Sequence, residues 1–236
     1  MLKAILFDLD GTLLPMDMKQ FVEAYVGGML RKMAPYGYDP KLLTSAVWQC
    51  TAAMVANDTD TLNETIFWDV FYRVMGEDAR KDEQVFFSYY QNEFHQLQSV
   101  CGHNPEAFKT VRKLQEMGYR TILATNPVFP AIVTNTRLRW TGLDTDDFEL
   151  ITTYENSRRC KPNPAYYADL LQMLDLKPEE CIMVGNDTLE DLAAEQVGIP
   201  VFLITDCLIN KENKDISALP HGSFPELMNY IRELTQ

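Results

Sequence analysis

The stretch from Ala4 to Leu14, reading AILFDLDGTLL, constrains the fold more than any other part of the chain. Four apolar residues, too few for a helix, run into two carboxylates one residue apart and then a glycine. A short apolar run closed by glycine reads as a buried strand, most naturally a central strand of a parallel sheet. Ligands of open α/β sheets gather outside the carboxyl ends of such strands. Asp8 and Asp10 stand where that rule puts chemistry. Two like charges this close repel and require a cation, a proton or several donors. The competing reading, from this stretch alone, is a polar turn that happens to hold two acids.

From Cys101 onward, helical and extended patterns alternate. Helices are predicted over 105–117, 127–140, 163–174, 188–197 and 224–234, and strands over 119–125, 148–152, 181–185 and 200–204. Strands separated by helices imply right-handed crossovers and a parallel sheet. Between residues 15 and 100 no strand is predicted. Met18, Phe21, Val22, Tyr25, Val26, Met29, Leu30 and Met33 recur at helical spacing, and similar stripes follow over 40–50, 66–74 and 82–97. Stripes of this kind, rich in methionine and aromatics, read as packing. The organisation expected is an α/β core over 1–15 and 101–236, with an all-helical insertion over 16–100. Pro15 and residues 100–104 are the expected hinge positions.

Composition narrows the function. The net charge of −13 repels polyanions, and no basic stripe suits nucleic acid. A small anionic substrate is compatible only where a metal and a few local cations reverse the sign inside one pocket. No apolar run is long enough to span a bilayer, and a first strand interrupted by Asp8 does not read as a secretory signal. Five scattered cysteines without CxxC spacing read as reduced thiols, so the cytoplasm is the expected compartment.

In a parallel sheet the strand ends face one rim. The first ends at Asp8 and Asp10, the second at Thr125-Asn126, and the fourth at Gly185-Asn186-Asp187 with Asp191 four residues on. Lys161 follows the third strand. Carboxylates without histidine or cysteine make a hard-cation site suited to Mg²⁺. Lys161 and the Thr125 hydroxyl would hold an anion beside it, and a phosphate fits that arrangement. Each residue also has a plainer reading. Thr125 serves as a strand-end hydroxyl, Lys161 as one more solvated charge beside Arg158 and Arg159, and Asp191 as a helix-start acid paired with Thr188. Taken jointly, those readings need four coincidences at equivalent strand ends.

These four segments, Asp8-Leu-Asp10-Gly-Thr-Leu, Thr125-Asn126, Lys161-Pro-Asn-Pro and Gly185-Asn-Asp187-Thr-Leu-Glu-Asp191, resemble the ordered motifs of the haloacid dehalogenase superfamily. The resemblance covers the whole chain. It implies a Rossmann-like core and a helical cap of the C1 type. It implies that Asp8 is the nucleophile that forms an aspartyl-phosphate and Asp10 the acid/base. Thr125 and Asn126 would bind the phosphoryl group, and Lys161 would pair with nucleophile and phosphate. Mg²⁺ would be held by Asp8, the Asp10 carbonyl and Asp187, with Asp191 near by, directly or through water. Asn186 stands where many relatives carry glycine before the acid, which leaves the division of labour between Asp187 and Asp191 open.

The activity implied is Mg²⁺-dependent hydrolysis of a small phosphorylated metabolite. A phosphomutase of the β-phosphoglucomutase type shares the motifs and differs in whether a sugar hydroxyl or water receives the phosphoryl group. A non-catalytic, partner-regulating member is the reading from another class. Gln49, Asn57, Asn63 and Arg73 are polar cap residues that could bear on substrate selection, but none ranks above the others and each reads first as an ordinary exposed side chain. Oligomeric state is not encoded in any pattern found.

Overall fold

The computed structural model describes residues 1–234. Its centre is a six-stranded sheet in the order β3-β2-β1-β4-β5-β6, parallel throughout. The strands are β1 (Ala4–Phe7), β2 (Arg120–Leu123), β3 (Leu150–Ile151), β4 (Cys181–Gly185), β5 (Val201–Ile204) and β6 (His221–Gly222). β1 is buried along its whole length, with Phe7 opposite Leu123 on one side and Val184 on the other. Successive side chains point to opposite faces. Ile5, Phe7, Leu123 and Val184 therefore enter one apolar core, and Ala4, Leu6, Ile122 and Met183 the other. The strand order reverses at β1, between β2 and β4, which is where an open α/β sheet leaves a crevice.

Four helices fill the interval after β1: α1 (Met18–Met33), α2 (Pro40–Val55), α3 (Asn63–Met75) and α4 (Glu83–Asn92), with short 3-10 turns between them. Asp17 and Asp39 cap α1 and α2 by accepting from Gln20 N and Leu42 N, and Pro40 opens α2 where its missing N–H is harmless. The helix expected over 82–97 is broken. A 3-10 turn at Glu77–Asp82 precedes α4, and Phe94–Val100 is again 3-10. The chain leaves β1 and returns by adjacent segments. Met16 bridges Cys101 antiparallel, and Gly102 N donates to Pro15 O at 2.6 Å. Phe94 stacks on Trp140 with ring centroids 5.6 Å apart, tying this helical block to the α/β core.

The core helices are α5 (Pro105–Glu116), α6 (Ala131–Trp140), α7 (Pro164–Leu174) and α8 (Phe224–Leu234). Two expectations fail here. Strand β6 lacks any apolar run and had no periodic signal. The helix expected over 188–197 shrinks to a 3-10 turn at Leu192–Val197, because residues 185–191 form a loop in which backbone amides turn inward to the Asp191 carboxylate.

Candidate active site

The turn after β1 sets the geometry. Asp8 N donates to Val184 O at 2.9 Å, so the side chain leaves the sheet at the crevice. Gly11 adopts φ +86°, and a Cβ there would lie 2.2 Å from Asn186 Nδ2, so no other residue fits without displacing that amide. The tight turn lets Thr12 point back, its hydroxyl 3.3 Å from Asp8 Oδ2 and 3.1 Å from Asn186 Oδ1.

Lys161 is wholly buried, in the loop after β3. Its ammonium donates to Asp8 Oδ1 at 3.0 Å and to Asp191 Oδ1 at 2.7 Å. Burial opposes that charge, yet Asp191 and Asp8 outweigh it and hold the ammonium well above the usual lysine value. One ammonium serves two carboxylates. Burial, with Asp191 and Asp10 as like charges, therefore pushes the Asp8 carboxyl up to about 8 despite Lys161. Asp191 Oδ2 accepts from the backbone amides of Asn186 and Asp187 at 2.8 and 2.9 Å, so both its oxygens are engaged. Thr188 takes no part in a cap; its N–H bonds Ile209 O and its hydroxyl Asn210.

Asp187 Oδ1 accepts from Leu189 N and Glu190 N at 2.7 and 3.1 Å, an Asx-type turn that aims the side chain at the cavity. Thr125 and Asn126 line the same cavity as Asp8, Asp10, Asp187 and Asp191. The Thr125 carbonyl is held from behind by Thr152 Oγ1 and Tyr166 Oη. Asn126 Nδ2 donates to Glu190 Oε2 at 3.0 Å, while its Oδ1 is buried without a hydrogen-bond partner. All seven residues singled out from the sequence thus meet at one rim.

Three participants were missed. Glu190 sits beside Asn126, its carboxyl pushed up to about 7 by burial against the pull of Lys161. Asn186 connects Thr12 to the Cys207 carbonyl. Arg137 on α6 is wholly buried and forms an ion pair with Asp10 Oδ2, its guanidinium carbon 4.5 Å from the centre of the Phe129 ring. Asp10 Oδ1 and the Nε and Nη2 of Arg137 are buried without partners. The signal for Arg137 was faint: it shares a helix face with buried Val133 and Trp140, and an arginine there needs an acid.

The polar cap residues named from the sequence do not line the cavity. Gln49 and Arg73 are exposed. Asn57 and Asn63 are buried where the helical block meets the core, against the expectation of exposed side chains. Asn57 Nδ2 donates to Arg158 O, Thr61 O and Asn63 Oδ1, and Asn63 Nδ2 to Pro127 O.

Among the described residues no three histidine, cysteine or acidic side chains form a metal cage by themselves. The charge balance nevertheless fits a cation. Asp8, Asp10, Asp187, Glu190 and Asp191 face the cavity, against the two buried cations Lys161 and Arg137. An all-oxygen set with surplus negative charge suits a hard divalent ion.

A haloacid dehalogenase-like hydrolase family model matches residues 2–198. Pyrophosphatase PpaX from Bacillus cereus (strain ATCC 10987 / NRS 248) is 26% identical over 130 residues, 55% of this chain and 57% of the relative. The chain thus spans little more than half of that relative's length. Among solved structures, 2-haloacid dehalogenase from Pseudomonas syringae pv. Tomato DC3000 is similar with a TM-score of 0.67, 20% identity and 99% of each chain covered. A predicted phosphoglycolate phosphatase from Haemophilus somnus 129pt is similar with a TM-score of 0.60, 20% identity and 98% of each chain covered.

Proposed function

Because this chain belongs to the haloacid dehalogenase-like hydrolase family, we propose that it is a Mg²⁺-dependent phosphatase that hydrolyses small phosphomonoesters through an aspartyl-phosphate. The observation that carries this reading is the buried Lys161 ammonium bridging Asp8 and Asp191, at the rim that Asp10, Thr125, Asn126 and Asp187 also line. That arrangement offers an anchored carboxylate nucleophile and a cation for phosphoryl oxygens at the same point.

In this mechanism an Asp8 oxygen forms the new bond to phosphorus as the ester P–O bond breaks. Asp10 gives a proton to the departing oxygen, then takes one from the water that attacks the aspartyl-phosphate. Arg137 holds Asp10 Oδ2 and leaves Oδ1 unbonded, which orients the carboxyl for that exchange. Thr125 and Asn126 bind the phosphoryl group, and Lys161 offsets its charge as it transfers. A bound Mg²⁺ would be held by Asp8, Asp187 and the Asp10 carbonyl and would draw charge from the phosphoryl oxygens. Asp191, with both oxygens engaged, orients Lys161 and the 186–187 amides from outside that shell. Residues 16–100 act as a cap over a core of residues 1–15 and 101–236, excluding water during the first displacement. Five free thiols support the cytoplasm as its compartment.

The test is phosphate release from a generic aryl phosphate with and without Mg²⁺. Turnover requires the metal, and Asp8→Asn abolishes it while the circular dichroism spectrum is unchanged. Full activity in that variant sinks the mechanism.

A further inference from the structure

The cavity that begins at the catalytic carboxylates continues into the helical block and changes character there. It encloses about 350 Å³, room for about a dozen water-sized atoms at ~30 Å³ each. On the block side its wall is made by Val22 and Val26 of α1, Val47 of α2, Phe67 and Trp68 of α3, and Phe87 of α4. All of these except Val47 are half-buried, and all of them line the cavity. Trp68 and Phe87, with ring centroids 6.4 Å apart, join α3 to α4 along this wall. The hydroxyls on this side are mostly engaged, with one phenolic proton of the Tyr25–Tyr90 pair left over. Tyr25 and Tyr90 bond each other at 3.0 Å, and Thr51 Oγ1 donates to Val47 O at 3.0 Å.

Cations are as informative as the apolar wall. Among the described residues lining the cavity, Lys211 is the only lysine or arginine, and it lies in the loop after β5, on the core side. Arg137 is engaged by Asp10, and Lys161 by Asp8 and Asp191. A second phosphate or a carboxylate on the substrate would find no lysine or arginine on the block side of the chamber, only Lys211 on the core side, and several acids at its floor. Burying such a charge unpaired is strongly unfavourable.

We propose that the preferred substrate is a phosphomonoester of an uncharged, apolar alcohol, alkyl or aromatic, whose organic group fills the Val22–Val26–Phe67–Trp68–Phe87 chamber while its phosphate meets Asp8. This rests on the phosphatase reading above. Its content is that the chamber selects against pyrophosphate, phosphoglycolate and sugar phosphates, which carry a second charge or many hydroxyls.

The experiment measures kcat/KM with Mg²⁺ for n-alkyl phosphates from methyl to octyl, for phenyl phosphate, and for pyrophosphate, phosphoglycolate and glucose 6-phosphate. The proposal expects about a fourfold rise per methylene until the chamber is full, with the charged and sugar substrates at least about a hundredfold below the best alkyl phosphate. Val22→Thr should lower octyl phosphate turnover severalfold more than methyl phosphate turnover. Val26→Lys should raise pyrophosphate relative to octyl phosphate. A flat alkyl series, or a preference for pyrophosphate or phosphoglycolate, overturns the proposal and leaves the phosphatase reading standing. If no phosphate ester is hydrolysed, the phosphatase reading fails. The chamber is then tested by quenching of tryptophan fluorescence with the non-hydrolysable alkylphosphonates. Affinity that climbs with chain length supports the apolar site, and affinity independent of chain length overturns it.

Discussion

Asp10→Asn in the metal-free protein should cost more stability than a typical active-site substitution, and the reason is Arg137. The guanidinium has no exposed side-chain surface, its partner carboxylate is 16% exposed, and two of its nitrogens already lack partners. Removing the anion leaves a buried, uncompensated charge, which costs about 3–5 kcal/mol. One effect opposes this, since Asp10 is a like charge to Asp8. With the Asp8 carboxyl pushed up to about 8 by burial, its protonated form is favoured at pH 7, so little repulsion exists to relieve. The unpaired arginine wins, and the expected loss is about 3 kcal/mol.

Arg137→Met removes the charge and its desolvation together. It gives up ring contacts with Phe129 and Phe21 worth about 0.5–2 kcal/mol, against a gain of similar size from no longer burying a guanidinium. Asp10, 16% exposed, is left without its cation but keeps some contact with solvent, so the stability should fall by less than in Asp10→Asn. The double variant should recover most of the Asp10→Asn loss. Urea denaturation with EDTA at pH 7 measures all three, and a 3 kcal/mol loss corresponds to a fall of about 6–12 °C in Tm. At pH 9 Asp8 is ionised, real repulsion is relieved, and the Asp10→Asn penalty should shrink. An Asp10→Asn variant as stable as the parent at pH 7, or an absence of recovery in the double variant, refutes the reasoning.

How far the sequence reaches can be judged residue by residue. β1 and the acids after it are legible because a four-residue apolar run followed by two acids and Gly11 has few other uses, and the alternation after Cys101 follows from glycine and proline punctuation. The meeting of Asp8, Thr125, Lys161 and Asp187 follows from strand parallelism alone, since parallel strands share one carboxyl rim. What stayed hidden depended on tertiary partners. Arg137 acquires meaning only through Asp10, 127 residues away in sequence. The 188–197 segment has helical periodicity, but Asp191 satisfies two amides and Lys161 instead of a helix start. The stripe on α1 was read wholly as packing. Its Phe21 and Met33 are packing, whereas Val22 and Val26 are half-buried and line the cavity, a difference that periodicity does not encode.

Two further outcomes follow from buried polar groups. Asp8 is raised from 3.8 to about 8, so its protonated form contributes stability that is complete below about pH 4 and lost as pH climbs through about 8. Metal-free protein should therefore denature more readily at pH 9 than at pH 6. A cation on Asp8 must displace that proton, so Mg²⁺ affinity by calorimetry should rise about tenfold per unit between pH 6 and 8 and then level; a pH-independent affinity excludes Asp8 as a titrating ligand. The second concerns Asn57, which ties the end of α2 to the core by donating to Arg158 O at 2.5 Å and to the start of α3 by donating to Asn63 Oδ1 at 3.1 Å. Asn57→Ala leaves both acceptors short of a donor at a buried junction, costing about 1–3 kcal/mol. The loss should be local before it is global, because the affected bonds join two elements and do not lie within a sheet. Hydrogen exchange of the amides of Asn63 and Glu64, which donate to Ser157 O and Tyr154 O across the same junction, should accelerate, while β1 and β4 amides keep their protection. Equal acceleration in the sheet would mean that block and core open as one cooperative unit, and that Asn57 is an ordinary core contact and no latch between them.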